Sequence, residues 1–365
     1  MTMPRGQLVD VAVTRYYHCI SRCVRRAFLC GQGYEHRRQW IENRLEKLSG
    51  SFAVSVCGFA VMGNHLHVLV RLDPDEAKAW SDEEVLHRWL AIYPPRALDQ
   101  EDETAAQAWI DEQLKNEATV ARYRERLADL GWFMKSLKEP LARLANKEDD
   151  CKGTFWESRY KSIAILDEEA LLATCAYIDL NPVAAGLAAT PETSPHTSIR
   201  QRVRHAKAKG KLGELKAAAV SSVSGSKAAG DFEQDHWLCP LDDRRSSRRE
   251  TDHGKAKQAK AREGMLPGFS LGNYLLLVDY TSRLRRKGKA RVPRAVAGIL
   301  QRLGTSVEHW NWRIEKLFAR GRLLGSYFAA DQVRLRDLAR RRGAHHLDNL
   351  ITAPKPPSSP QPTAA

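Results

Sequence analysis

The stretch VMGNHLHVLV at residues 61–70 decides how the chain around it folds. Its Gly63–Asn64 pair is typical of a tight turn, and the apolar residues before and after it predict the two strands of a hairpin. Side chains on a strand point alternately to opposite faces, so His65 and His67 share one face of the second strand. The sequence therefore predicts a mostly apolar strand with two imidazoles on the same side.

Further strands and helices are predicted on both sides of this hairpin, from β-forming runs and from apolar residues at helical spacing. In chain order they are a strand at 16–21, a helix at 35–48, the hairpin, a helix at 133–144, a strand at 160–166 and a helix at 168–181. This is the β-α-β-β-α-β order of ferredoxin-like α+β domains, in which helices back a four-stranded antiparallel sheet. The two histidines are expected to face either the open side of that sheet or the last helix laid across it.

Changes in composition indicate how the whole chain is organised. Residues 10–205 are predicted to form the ferredoxin-like domain, interrupted at 74–130 by an acidic, mainly helical insertion. Residues 206–235 have the Ala, Gly, Ser and Lys content of a linker. Residues 236–350 are basic with helical spacing, which predicts a mainly helical accessory domain, and the proline-rich tail at 351–365 is expected to be disordered.

The net charge of +14 indicates a polyanionic partner. Residues 200–346 hold 33 Lys and Arg against 14 Asp and Glu, so the positive excess lies in the C-terminal part. Nucleic acid is the expected partner because phosphate contacts dominate such binding, and a solvated basic surface is the alternative. No stretch approaches the ~18 apolar residues of a membrane span, and no signal peptide is recognised. A cytoplasmic protein without a membrane partner, with reduced and mostly buried cysteines, is expected.

The two histidines have more than one interpretation. Two neutral imidazoles on one face of a strand bind a divalent cation between them, whereas either ring is equally compatible with a hydrogen-bonded core residue. A histidine-triad hydrolase would need a third histidine at position 69, which is Leu69. A metallo-β-lactamase would need an Asp soon after the pair, and none is present there.

A second group of candidate residues lies in the helix predicted at 168–181. Tyr177 falls outside its apolar stripe, and the neighbours on its own face are small or polar, so little is expected to cover the phenol. Asn181 lies one turn further on, and Pro182 is expected to end the helix. An exposed tyrosine beside an amide is a candidate nucleophile next to a candidate metal ligand. The alternative is a half-buried aromatic side chain that packs on the sheet.

Three motifs together resemble the REP-associated tyrosine transposases, a branch of the single-tyrosine HUH endonucleases. They are GNHLHVLV at 63–70, GTFWESRYKS at 153–162 and YIDLNPVAAGL at 177–187, and the resemblance extends over approximately residues 10–205. It implies the same ferredoxin-like fold. It also implies a transposase that cleaves and rejoins single-stranded DNA near small hairpins through a 5′-phosphotyrosine intermediate.

The resemblance also implies roles for individual residues. His65 and His67 would be the histidine pair that binds a divalent metal, with Mg²⁺ or Mn²⁺ expected. Tyr177 would be the catalytic tyrosine, and Asn181 stands where relatives carry a polar residue able to complete the metal site. Relatives act as monomers or as homodimers, and the sequence leaves both alternatives open. A binding protein that uses the same sheet without catalysis is the alternative function.

Several side chains near the predicted strand ends are candidates for DNA contact. Arg22, Arg25, Arg26, Arg159 and Lys161 are candidates for phosphate contacts, and Trp156 or Tyr160 for stacking on an unpaired base. Each of them is equally compatible with a surface charge or a core aromatic.

Overall fold

The computed structural model describes residues 9–31, 33–96, 102–166, 168–214, 232–242, 263–266, 269–287 and 306–319. These residues form an α+β structure built on a four-stranded antiparallel sheet. The strands are β1 (Tyr16–Arg22), β2 (Val54–Val61), β3 (His65–Leu72) and β4 (Lys161–Ile165), in the spatial order β2-β3-β1-β4. The hairpin predicted from residues 61–70 is therefore formed by β2 and β3.

The helices of the described residues lie between the strands and after the last strand. They are α1 (Glu35–Ser51), α2 (Pro74–Ala79), α3 (Asp82–Ile92), α4 (Glu103–Leu114), α5 (Glu117–Leu127), α6 (Leu130–Glu148), α7 (Glu168–Ala184), α8 (Ser198–Ala208), α9 (Leu271–Lys287) and α10 (Val307–Ala319). Side-chain caps mark where several of them begin. Ser81 accepts a hydrogen bond from the Glu84 N–H at the start of α3, and Asp129 accepts one from the Trp132 N–H at the start of α6.

Two prolines lie inside helices. Pro140 is accommodated within a continuous α6. The sequence predicts that Pro182 ends the last helix of the first domain, whereas α7 continues to Ala184. Pro182 lies in the last turn, so the helix runs only two residues beyond it, and the Ala185 N–H donates to the Asn181 carbonyl at 3.0 Å.

The two faces of the sheet have different coverings. One face packs against α1 and α6 through an apolar cluster that includes Tyr17, Val68 and Phe133. The opposite face packs against α7 through a cluster that includes Leu69 and Leu172. The second face is therefore not open, because a helix lies across it.

The described parts of residues 236–350 pack on the same side as α7. Residues of α9 and α10, such as Leu277 and Trp310, are fully buried in one cluster with Leu172 of α7. The boundaries predicted for the linker and the accessory domain stay predictions. The basic run at 288–305 and the tail predicted to be disordered lie outside the described residues.

All seven cysteines are free thiols, and Cys151 is the exposed one. Six buried, reduced cysteines agree with the expectation from the sequence. Within the described ranges, no helix combines the length and the apolar character needed to cross a membrane.

Candidate metal and nucleophile site

His65 and His67 open strand β3, directly after the Gly63–Asn64 turn. In the pairing of β3 with β1, His65 lies opposite Arg22 and His67 lies opposite Ile20. Both imidazoles point to the α7 side of the sheet, as the alternation of side chains predicts. Their ring centroids are 4.9 Å apart, and the His67 side chain is buried with 2% exposure.

A third imidazole, His18 of β1, belongs to the same cluster and was missed by the sequence reasoning. Its Nε2 lies 3.0 Å from Nδ1 of His67, and the two ring centroids are 5.1 Å apart. The signal that would have found it is strand pairing: β1 lies beside β3, and His18 shares a face with Ile20, the partner of His67. The sequence of the first strand, YYHCIS, does not by itself show which strand lies beside it.

The hydrogen bonds of the rings leave one nitrogen free on each histidine of the pair. Nδ1 of His65 lies 2.7 Å from the Asn64 side-chain oxygen, which only accepts, so the ring donates through Nδ1 and its Nε2 keeps a lone pair. Nδ1 of His67 is occupied by His18, and its Nε2 is buried without a hydrogen-bond partner among the described residues. A buried nitrogen without a partner is uncommon in a folded protein and requires an explanation.

Burial keeps the three imidazoles neutral. It lowers the pKa of His18 to about 3, and burial followed by the charge of Arg22 lowers the pKa of His65 to about 4. The pKa of His67 is also far below its usual value, because of burial and, after it, electrostatic repulsion of a protonated ring by His65, His18 and Arg22. Neutral imidazole is the form that coordinates a metal ion, so the cluster needs no deprotonation at neutral pH.

Tyr177 of α7 faces the histidines. Its ring is perpendicular to that of His67, with the centroids 5.5 Å apart, and lies 6.2 Å from the His18 ring. The expectation of an uncovered phenol is wrong, since Tyr177 is only 6% exposed. The ring of Phe318, on α10, packs on it at 5.0 Å. The covering side chain is far away in the sequence, so the residues on the same face of α7 gave no sign of it.

The Tyr177 hydroxyl has a polar neighbour on its own helix. Burial raises the pKa of the Tyr177 phenol, and a hydrogen bond with the Asn181 side chain and the charge of Arg22 act in the opposite direction. Asn181 therefore contacts the candidate nucleophile, as expected for residues one helical turn apart. Its role as a metal ligand stays a prediction.

The donor set fits a divalent cation. His65 and His67 each have a free Nε2 by the hydrogen-bonding argument above, and Asn181 adds a neutral amide oxygen on the facing helix. No group of three or more His, Cys, Asp or Glu side chains within the described residues is arranged to hold a metal ion. Asn181, predicted from the sequence as the third ligand, would add an amide oxygen, and a substrate phosphate would supply further oxygens.

The basic residues predicted to contact DNA lie at different distances from this cluster along the sheet. Arg22 ends β1 opposite His65 and is half-buried. Lys161 begins β4 beside Ile20 and is exposed, so it shares the histidine face of the sheet. Arg25 and Arg26 are exposed in the loop after β1, and Arg159 is exposed just before β4.

The two aromatic candidates are less available than the sequence suggests. The Trp156 ring is half-buried, and its Nε1–H donates to the Lys138 carbonyl at 3.0 Å. Tyr160 is 6% exposed, so its ring offers no free face to a base in this conformation. Both rings lie near the Lys138 ammonium group, at 5.2 and 5.9 Å from their centroids.

Comparison with known proteins gives little beyond this geometry. No protein-family model matches the sequence, and no curated protein matches it. One solved structure, described as a REP-associated tyrosine transposase bound to a REP hairpin, is 13% identical over 52% of this chain and 78% of that chain. Its TM-score is 0.31, which is too low to carry an argument about fold or function.

Proposed function

We propose that the protein is a single-tyrosine transposase that cleaves and rejoins single-stranded DNA, at hairpin or repeat elements, with a divalent metal. His65, His67 and Asn181 would bind the metal, Mg²⁺ or Mn²⁺, and Tyr177 would be the nucleophile. The strand order β2-β3-β1-β4 with its intervening helices supports a ferredoxin-like sheet for this activity. Action on DNA agrees with a cytoplasmic protein associated with the nucleoid.

The observation that carries the proposal is the free, buried Nε2 of His67 next to Tyr177. The rings are 5.5 Å apart, and the nitrogen has no hydrogen-bond partner in the described part of the chain. A purely structural histidine would be expected to use both nitrogens, because an unpaired buried polar atom costs about 1–3 kcal/mol. A ligand that takes up the lone pair of Nε2 removes that cost.

The reaction asked of these residues is a transesterification. The Tyr177 oxygen attacks a backbone phosphorus, a phosphorus–tyrosine bond forms, and the bond to the 3′ oxygen breaks. The phenol proton is released to solvent, and the leaving 3′ oxygen takes up one proton. A bound divalent cation would neutralise phosphate charge and stabilise the leaving oxygen. Attack of another 3′-hydroxyl on the phosphotyrosine reverses the step and rejoins DNA.

The neighbours of Tyr177 support its role. The Asn181 hydrogen bond and the positive charge of Arg22 both favour the ionised phenol, which opposes the effect of burial. The neutral histidines keep the site free of carboxylate charge, so a bound cation would retain its attraction for phosphate.

The test is covalent capture of labelled single-stranded hairpin oligonucleotides on a denaturing gel with Mn²⁺. The wild type is expected to give a protein–DNA adduct that requires metal, and Tyr177→Phe is expected to give none. Tyr123→Phe is the matched control, because Tyr123 stacks on Trp89 in the helical insertion, away from the histidines. An adduct that persists in Tyr177→Phe would contradict the assignment of the nucleophile.

A binding protein without catalysis is the second candidate, and the burial of Tyr177 beneath Phe318 favours it. A phenol that is 6% exposed cannot meet a phosphate unless α10 or its side chains move. The same experiment separates the two functions. Hairpins that bind the wild-type protein but are never cut, with or without Mn²⁺, would support the second function.

A further inference from the structure

The loop between β1 and α1 presents an exposed aromatic ring beside the histidine pair. Phe28 is 70% exposed, the highest value among the large hydrophobic side chains that the structure describes. A single exposed apolar residue requires no explanation by itself. The surroundings of Phe28 are the reason to consider it further.

Phe28 is held against the turn that precedes His65. A Cβ atom added to Gly63 would lie 2.8 Å from Cδ1 of Phe28, so the ring rests directly on the glycine backbone. The Cys30 N–H donates to the Gly63 carbonyl at 2.8 Å, and the Cys23 N–H donates to the Asn64 carbonyl at 2.9 Å. The ring is therefore placed by fixed backbone contacts, two residues from His65 along the turn.

The loop also has an unusual backbone. Arg25 and Arg26 adopt left-handed conformations, with φ of 54° and 57°. Such values are uncommon outside glycine, and two in succession cost free energy that the surrounding contacts must supply. One of those contacts is the hydrogen bond from the Asn64 side-chain amide to the Arg26 carbonyl, at 3.1 Å. The loop is therefore built onto the GNHLH turn instead of being a free connection.

Three arginines without ion-pair partners in the described part of the chain precede Phe28. Arg25 and Arg26 are exposed, and Arg22 is half-buried at the end of β1. Within the described residues none of these three arginines takes part in an ion pair, whereas Arg15, Arg37 and Arg88 all do. Cations without carboxylate partners around an exposed ring match a ligand with phosphates and a flat apolar surface.

We propose that Phe28, flanked by Arg25 and Arg26, is a stacking platform for one unpaired base of single-stranded DNA. The base lies on the Phe28 ring, and the arginines bind the phosphates on its two sides. This inference rests on the proposed function, because it takes single-stranded DNA as the ligand. It adds a specific site for the nucleotide next to the scissile position, since the ring adjoins the turn that carries His65.

A base fits this surface better than an apolar protein partner does. The exposed apolar area is one ring and not a patch, and the neighbours are arginines, which pair with phosphates through a planar fork. Stacking on an aromatic ring is tolerant of sequence because every base has a π-face. The platform therefore positions DNA without selecting a particular base.

The test measures fluorescence anisotropy of an oligothymidylate of about 15 nucleotides, the length of a large single-strand site. Phe28→Ala is expected to weaken binding by about 5- to 150-fold, the loss of one stacked base. Phe28→Trp is expected to retain affinity, whereas Phe28→Leu, which is apolar without a ring, is expected to behave like Phe28→Ala. Leu114→Ala, a change of another exposed hydrophobic residue at the end of α4, is the control and is expected to bind like the wild type.

A second measurement assigns the effect to one base. Abasic nucleotides are placed in turn along the single-stranded arm of a hairpin oligonucleotide, whose duplex fixes the register, and one position is expected to weaken wild-type binding but not that of Phe28→Ala. The proposal is overturned if Phe28→Ala and wild type bind with equal affinity, or if Phe28→Leu binds like the wild type. It is also overturned if Phe28→Ala changes the oligomeric state by light scattering while DNA binding stays the same.

This result is independent of the nucleophile test. Loss of binding in Phe28→Ala together with an adduct that persists in Tyr177→Phe would support the platform and contradict the catalytic assignment. An adduct that requires Tyr177, together with unchanged DNA binding by Phe28→Ala, would support the catalytic assignment and contradict the platform.

Discussion

Helix α7 contributes to two buried polar clusters that differ in one respect. Asp179 accepts hydrogen bonds from Oγ of Ser198 at 2.5 Å, from the N–H of Ile199 at 2.9 Å, and from the hydroxyl of Tyr274. Two residues earlier, Tyr177 faces His67, whose Nε2 has no partner in the described part of the chain. In the first cluster the Asp179 carboxylate accepts three hydrogen bonds. In the second cluster one buried nitrogen, Nε2 of His67, makes none with the described residues.

This difference separates a structural cluster from a candidate functional one. Asp179 joins α7 to the start of α8 and to α9, and its three donors leave no place for a ligand. In the histidine cluster, by contrast, Nε2 of His67 has no hydrogen-bond partner among the described residues. Buried polar groups that are fully paired stabilise one structure, whereas an unpaired one requires an explanation, and a bound ligand is one such explanation.

The largest expected effect is a difference in stability between variants of the two clusters. Asp179→Ala leaves two hydroxyls and one N–H buried without an acceptor, which is expected to lower the free energy of unfolding by about 3 kcal/mol or more. Tyr177→Phe removes one hydroxyl and is expected to cost about 1 kcal/mol or less. Urea unfolding followed by circular dichroism measures both. Equal losses for the two variants would contradict the comparison.

The second prediction concerns His18 and the metal. Nδ1 of His67 lies 3.0 Å from Nε2 of His18, and in the tautomer in which His67 donates this hydrogen bond its lone pair lies on Nε2. His18→Leu is expected to reduce Mn²⁺ affinity by about 10- to 100-fold, the usual effect of losing such a partner. Calorimetric titration of the protein without DNA measures it directly.

The matched variant for this test is His18→Gln. The amide oxygen of glutamine reaches roughly the position of the imidazole Nε2 and accepts the same hydrogen bond, so much of the affinity is expected to return. If His18→Leu is folded and binds Mn²⁺ like the wild type, His18 acts only in packing. If the wild type itself binds no Mn²⁺, the metal proposal fails.

A third prediction concerns the pH dependence of stability that the hydrogen-bonded carboxylate of Glu42 gives. Oε2 of Glu42 lies 2.6 Å from Nδ1 of His196, and Gln201 donates to the other oxygen. Burial opposes the ionised form, but the hydrogen bonds of His196 and Gln201 exceed it, and the net pKa of Glu42 is lowered. A carboxylate with a lowered pKa stabilises the folded state above its unfolded pKa, and that stability is lost as the pH falls through the folded value.

The free energy of unfolding of the wild type is therefore expected to fall by about 1 kcal/mol more than that of Glu42→Gln, between pH 6 and the acid range in which Glu42 is protonated. Thermal unfolding of both proteins over that range measures the difference. A constant difference between them at every pH would show that Glu42 does not titrate with folding.

The smallest expected effect concerns the covering of Tyr177. Phe318→Ala removes the ring that lies 5.0 Å from Tyr177, so water reaches the phenol and its raised pKa is expected to fall. A lower pKa gives more phenolate at a given pH, so faster adduct formation is expected. Ultraviolet titration of tyrosinate in Phe318→Ala, with Tyr177→Phe as the blank, measures the shift. An unchanged pKa would show that the sheet and α7 alone bury the phenol.

Strand pairing explains which parts of the site were accessible to prediction. The period of two along β3 placed His65 and His67 on one face, and the same period in the structure confirms it. The helical period placed Asn181 one turn after Tyr177, and the Asn181 side chain acts on the pKa of the Tyr177 phenol. Both inferences use geometry within a single element, which local sequence determines.

The inferences that failed depended on contacts between distant segments. His18 was overlooked because its place beside His67 follows from the pairing of β1 with β3, across about fifty residues of chain. Tyr177 was expected to be uncovered because Phe318 lies in a helix more than a hundred residues later. Pro182 was expected to end α7, whereas the helix continues for two residues beyond it.

The sequence by itself determined the hairpin, the face shared by the two histidines and the spacing of Tyr177 and Asn181, because each follows from the period of a strand or a helix. Only the tertiary structure decided which nitrogen of His67 stays free, how deeply Tyr177 is buried and where Phe28 lies. These properties depend on which elements become neighbours, and no local pattern in the chain encodes that.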